Sequence, residues 1–173
     1  MISLSVLFWI FVLMFALIGA MRGWAKELLV TSGVLVALFL LAVMETFIPF
    51  FRDSIPVQTS YWVRTSVVVA LAFFGYQTPN IPRIMESGKF IRERFQDILL
   101  GLFLGGINGY MIFGSLWFYL IDADYPFNWI SAPANLSENV MSLIKILPPQ
   151  YLQPPVVYVA VAVAFVFILV VFI

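Results

Sequence analysis

Apolar residues gather in five long runs, at about residues 2–20, 28–49, 62–78, 98–121 and 155–173, each cut off by a short polar stretch. A helix needs about 20 residues to cross the hydrocarbon core, so each run is read as a membrane span. The third is the shortest; Tyr61 and Trp62 at one end and Tyr76 at the other would hold its ends at headgroup level. The pattern therefore predicts an all-α fold, a polytopic transmembrane bundle of about five spans forming a single membrane domain over residues 1–173.

Residues 122–154 form the one sizeable segment outside the runs. It opens on Asp122 and Asp124, carries Phe127 and Trp129, and closes on Pro148-Pro149 and Pro154-Pro155, pairs that no helix interior accommodates. Within it Ser137 can cap a short helix in which Val140, Met141, Ile144 and Leu147 recur at the helical period. Two placements stay open: an interfacial helix on the outer leaflet, or a piece of loop packed on the bundle. Asn135-Leu136-Ser137 matches a glycosylation sequon, a short signal that matters only in a eukaryotic secretory setting.

Composition agrees with a membrane protein: 63% of residues are hydrophobic, 10% are charged and the mean hydropathy is +1.04, far from the roughly 25% charged of a soluble domain. Nine basic residues balance nine acidic ones, which leaves no electrostatic footprint for nucleic acid. With no cysteine and no histidine, thiol nucleophiles, imidazole bases and the commonest metal ligands are missing, and no phosphate-cradling loop or metal-ligand spacing appears. The expectation is a protein that is not an enzyme, without a metal site or catalytic residues. No cofactor is expected, although lipid or a pigment could lodge against the eighteen phenylalanines.

Basic residues set the orientation. Arg22 and Lys26 after the first run, and Arg83, Lys89, Arg92 and Arg94 after the third, make six of the nine on one side. The N-terminus is therefore placed outside and the C-terminus in the cytoplasm. The first run has its positive charges after it, so it is read as a retained span and not a cleaved signal peptide. No span carries an ionisable group at its centre; Glu45 falls near the outer interface, with Arg64 a candidate partner.

The fourth run opens with Asp97-x3-Gly101-x3-Gly105-x3-Gly109, a charge followed by three glycines at four-residue spacing. In lipid such a row lets another backbone approach closely. Gly101, Gly105 and Gly109 are thus helix-packing candidates, with an internal helix or another subunit as the partner. Asn108 beside them, about 16 Å along the helix from Asp97, can hydrogen-bond across that contact. Asp97 is a span-entry acid that can pair with Arg92 or Arg94 or face the positive helix end. Between the first two runs, Gly19-x-x-Arg22-Gly23-x-x-x-Glu27-Leu28-Leu29 makes a tight hairpin in which Gly23 permits the turn. Arg22, Lys26 and Glu27 there would meet lipid headgroups or a partner's carboxylate at the membrane face.

These two motifs, in this order, resemble those of the colicin V production protein (CvpA) family, in which a glycine-arginine-glycine hairpin comes after the first span and an aspartate with recurrent glycines begins the fourth. The serine-led stretch from Ser137 to Pro148 also resembles the segment after the family's fourth span, so the likeness covers about residues 1–148. The chain departs from the pattern at Ser3 and Ser5, where many members carry an acidic residue, and in the additional run at 155–173. The resemblance implies a multi-pass protein of the bacterial cytoplasmic (inner) membrane, from a family linked to toxin export and envelope homeostasis. The favoured expectation is a non-catalytic accessory or structural subunit of a larger respiratory, photosynthetic or secretion complex, docking through its glycine face. Its partners would be membrane lipids and other transmembrane subunits. The alternative is a self-associating conduit for a solute or toxin, with Asn108 and Arg22 lining the path.

Overall fold

The computed structural model describes residues 3–77, 91–127 and 138–172. Their secondary structure is helical: α1 (Leu4–Arg22), α2 (Trp24–Phe47), α3 (Pro49–Asp53), α4 (Val57–Tyr76), α5 (Ile91–Asp122), α6 (Glu138–Lys145), α7 (Pro148–Tyr151) and α8 (Val156–Phe172). Trp129 and the sequon at 135–137, with the Ser137 cap, lie outside the described residues.

The all-α expectation holds among the described residues, and three helices combine the length and apolarity to cross a membrane: α1, α2 and the Arg94–Asp122 part of α5. The other two predicted spans each meet one condition. α4 has 20 residues, but Gln58, Thr59, Ser60 and Arg64 dilute its first half. α8 carries no charge, yet its 17 residues reach only about 25 Å at 1.5 Å per residue. α2 and α4 both start about one turn earlier than predicted, and α5 about two turns, because polar residues that ended the apolar runs, Lys26 and Glu27, Gln58 to Ser60, and Arg92 to Asp97, are helical.

α5 is the central element. Its 32 residues make a rod of about 48 Å. α1 packs along it, α2 and α4 pack on it and on each other, and α8 packs on α2. The core runs along one stripe of α2, Val30, Val34, Ala37, Leu38 and Leu41, which meets Val68 and Ala72 of α4 and Met111 and Ile112 of α5. Two more glycines allow this: a Cβ on Gly33 would lie 2.8 Å from the Leu71 oxygen, and one on Gly75 2.8 Å from the Val30 Cα. The outward faces of α1 and α8 carry exposed Trp9, Leu13, Leu17, Val163, Phe165 and Val170, as lipid-facing helices do.

One face of the α6–α7 segment packs on the bundle. Val140, Leu143 and Ile144 turn toward a cluster of Phe8, Trp117 and Leu147, while Met141, expected on the same face, points outward at 49% exposure. Leu147 is fully enclosed and Pro148, first residue of α7, seats against Gly114, where an added Cβ would come within 2.6 Å of its Cδ. Gly114 stands eight residues, about 12 Å, before the end of α5, so the chain dips alongside that helix before α8 begins. The Tyr110 hydroxyl donates to the Ile146 oxygen and so satisfies the irregular backbone of the dip.

Candidate functional site

The two sequence motifs fold onto each other. Gly23 ends α1 and starts α2 as a single residue with φ +85°, which glycine adopts without strain, and its N–H closes on the Gly19 oxygen at 2.9 Å. α2 has no cap from its own side chains. Asp97 of α5 supplies one: the Trp24 N–H donates to its Oδ1 at 3.0 Å, and a Cβ on Gly23 would lie 2.7 Å from both carboxylate oxygens. The side chain of Arg92, one of the two partners expected for Asp97, lies outside the described residues. α5 begins two turns before Asp97, which frees this carboxylate from its own helix end and turns it on the positive end of α2.

Below this cap the glycine row meets α1 backbone to backbone. A Cβ on Gly105 would run into the Phe15 oxygen and sit 2.9 Å from the Gly19 Cα; one on Gly101 would strike the Gly19 carbonyl; one on Gly109 would lie 2.8 Å from the Phe15 Cβ and 3.0 Å from the Val12 Cα. Gly19 is the reciprocal small residue. The partner of the row is therefore internal, and docking of another subunit through this face is corrected: α1 already occupies it.

Glu27 is the centre of the site. Expected at the membrane face beside Arg22 and Lys26, it is instead fully buried in the first turn of α2. Arg22 Nη1 donates to its Oε1 at 2.6 Å, while Nη2 donates to the Tyr76 oxygen at 3.1 Å and the guanidinium lies 4.4 Å over the Tyr76 ring. Asn108, also fully buried, donates Nδ2 to Glu27 Oε2 at 2.8 Å and to the Glu27 main-chain oxygen at 2.9 Å. Its Oδ1 accepts from the Thr31 hydroxyl at 2.7 Å, and the Tyr76 hydroxyl reaches Glu27 Oε2 at 3.3 Å. Four helices thus converge on one carboxylate that has a cation, Arg22, and two neutral partners, Asn108 and Tyr76.

A charge buried this deeply persists only when paired and hydrogen-bonded, and both conditions hold here. The same saturation limits its chemistry: both Glu27 oxygens and the Asn108 amide are already engaged. Asn108 is enclosed and does not line an open path. Lys26 sits half-buried on the hairpin and takes no part in the contacts around Glu27 among the described residues. Sequence reasoning singled out Gly19, Arg22, Gly23, Glu27, Asp97, Gly101, Gly105, Asn108 and Gly109 as two motifs, and the structure joins them. Thr31 and Tyr76 were missed, as were Gly33, Gly75 and Gly114. A signal for Glu27 was present: at helical spacing it continues the buried stripe of Val30, Val34, Ala37 and Leu41.

A second charged group stands 18 residues away on α2, about 27 Å along the helix. There Arg64 Nε lies 2.9 Å from Glu45 Oε1, the pair expected from the sequence, and its Nη1 lies 2.5 Å from Asp122 Oδ2.

Comparison with protein families, curated proteins and solved structures yields no match for this chain.

Proposed function

We propose that this chain is a CvpA-like, non-catalytic accessory or structural subunit of a larger membrane assembly in the bacterial inner membrane. In this reading all five long apolar runs cross the bilayer, with the N-terminus outside and the Arg22 end of the bundle toward the cytoplasm. The observation that carries the reading is the saturation of Glu27: its most deeply buried charge is spent on holding α1, α2, α4 and α5 together and has no oxygen left for a substrate. Further support comes from the residues of the CvpA resemblance, which form one interlock: Asp97 caps the Gly23 hairpin and Gly19 meets Gly101 and Gly105. A site built this way supplies rigidity, which is what a scaffold contributes to its neighbours.

The test is composition. An affinity-tagged chain is extracted from its native membrane in mild detergent and separated on a native gel, and the co-migrating polypeptides are identified after in-membrane cross-linking. A fixed set of other membrane subunits is expected. Migration as a lone monomer, with no cross-linked partner, would overturn the reading.

A further inference from the structure

At the Arg64 end of the bundle α2, α4, α5 and the α7–α8 link enclose an open-sided cleft of about 330 Å³. Its rim is polar, with Glu45, Arg64, Asp122 and Gln153; its inner wall is apolar, with Leu38 and Phe118. Leu38 lies seven residues before Glu45 on α2, so the lining changes from charged to apolar over about 10 Å along the span. The sign of the rim is unequal: two carboxylates face one guanidinium. Among the described residues each carboxylate gives one oxygen to Arg64, and the side chains of Glu45 and Asp122 remain 40% and 50% exposed. The cleft thus holds a net charge of −1 with acceptor capacity to spare. Glu45 stands two residues from the end of the span Trp24–Phe47, and Asp122 ends the span Arg94–Asp122, which sets the rim at headgroup level.

We propose that this cleft binds a lipid with an ammonium headgroup, of the phosphatidylethanolamine type, the ammonium taking the oxygens of Glu45 and Asp122 that Arg64 leaves unused and acyl methylenes running down to Leu38 and Phe118. An anionic headgroup meets the wrong sign there. A soluble amine offers the same positive group but no chain long enough to use the apolar wall and the bilayer together. The site is at the opposite end of the bundle from Glu27, so the proposal stands apart from the accessory-subunit reading.

The full chain is placed in nanodiscs of equal phosphatidylethanolamine and phosphatidylglycerol, and the lipids that remain bound are weighed by native mass spectrometry. A preference of about fivefold for the ethanolamine lipid is expected, the scale of a partly exposed ion pair. Asp122→Asn, at a half-exposed position, brings the rim to neutral and should abolish the preference; Glu45→Gln with Asp122→Asn makes it +1 and should reverse it. Circular dichroism checks that each variant folds. Equal retention of the two lipids by the native chain, or a preference unchanged in Asp122→Asn, would overturn the proposal. Thermal stabilisation in detergent by octylammonium chloride equal to that by the ethanolamine lipid would overturn the lipid assignment in favour of a soluble amine.

Discussion

Replacing Asn108 by leucine, close in size but without a polar atom, removes two donors from Glu27 and one acceptor from Thr31. The carboxylate keeps Arg22 and the longer contact from Tyr76, so it stays paired yet loses its closest neutral partner. A hydrogen bond to a charged group contributes about 1.5–3 kcal/mol in proteins, while interhelical bonds in membranes average nearer 0.6 kcal/mol. Because this carboxylate is fully enclosed, the upper range applies, and the loss of all three contacts should destabilise the bundle by about 2–4 kcal/mol. Reversible unfolding in mixed micelles, followed by the fluorescence of the five tryptophans, measures it. A double-mutant cycle with Glu27→Gln isolates the pair, with a coupling of about 1–3 kcal/mol expected. A leucine variant within about 0.5 kcal/mol of the native chain, together with strict additivity in the cycle, would refute the reasoning.

Gly105→Leu should force α1 off α5 and leave little folded protein in detergent, whereas Gly106→Ala, whose new Cβ meets only Ala16 at 3.6 Å, should be nearly neutral; thermal melts of the pair check both. Gly23→Ala combines a positive-φ, extended backbone conformation that only glycine adopts freely with a collision against Asp97, and should cost more than the roughly 1–3 kcal/mol of the backbone strain alone, read in the same unfolding assay. Gly114→Val should unseat Pro148 and expose the α6–α7 segment to added protease while α1 to α5 stay protected, as limited proteolysis with mass spectrometry would show.

Much of this architecture could be read from residue pattern because in lipid the rules are few. The glycine row announced a close helix contact, Gly23 a turn, and Glu45 with Arg64 an ion pair, each from local spacing. The identity of the partner helix could not be read this way, since Gly19 is a small residue in a run of large ones and nothing local ties it to Gly101. Glu27 was misplaced for a related reason. Position beside a basic turn suggested the surface, and only the shared phase with Val30 and Val34, together with Asn108 some 80 residues later, reveals a buried carboxylate. The dip at Leu147 and Pro148 likewise depends on Gly114 and Tyr110 in another segment. Long-range complementarity of this kind leaves no periodic trace.

The central claim is that the glycine row of α5 grips α1 of its own chain. The absence of cysteine makes a direct measurement simple. Cβ atoms at positions 16 and 106 would lie 3.6 Å apart, within the range of a disulfide, so Ala16→Cys with Gly106→Cys in the otherwise cysteine-free chain should close a bond under mild oxidation in native membranes. The account requires quantitative cross-linking within one chain, seen as a monomer with faster migration on a non-reducing gel. A covalent dimer, or free thiols at both positions, would contradict it.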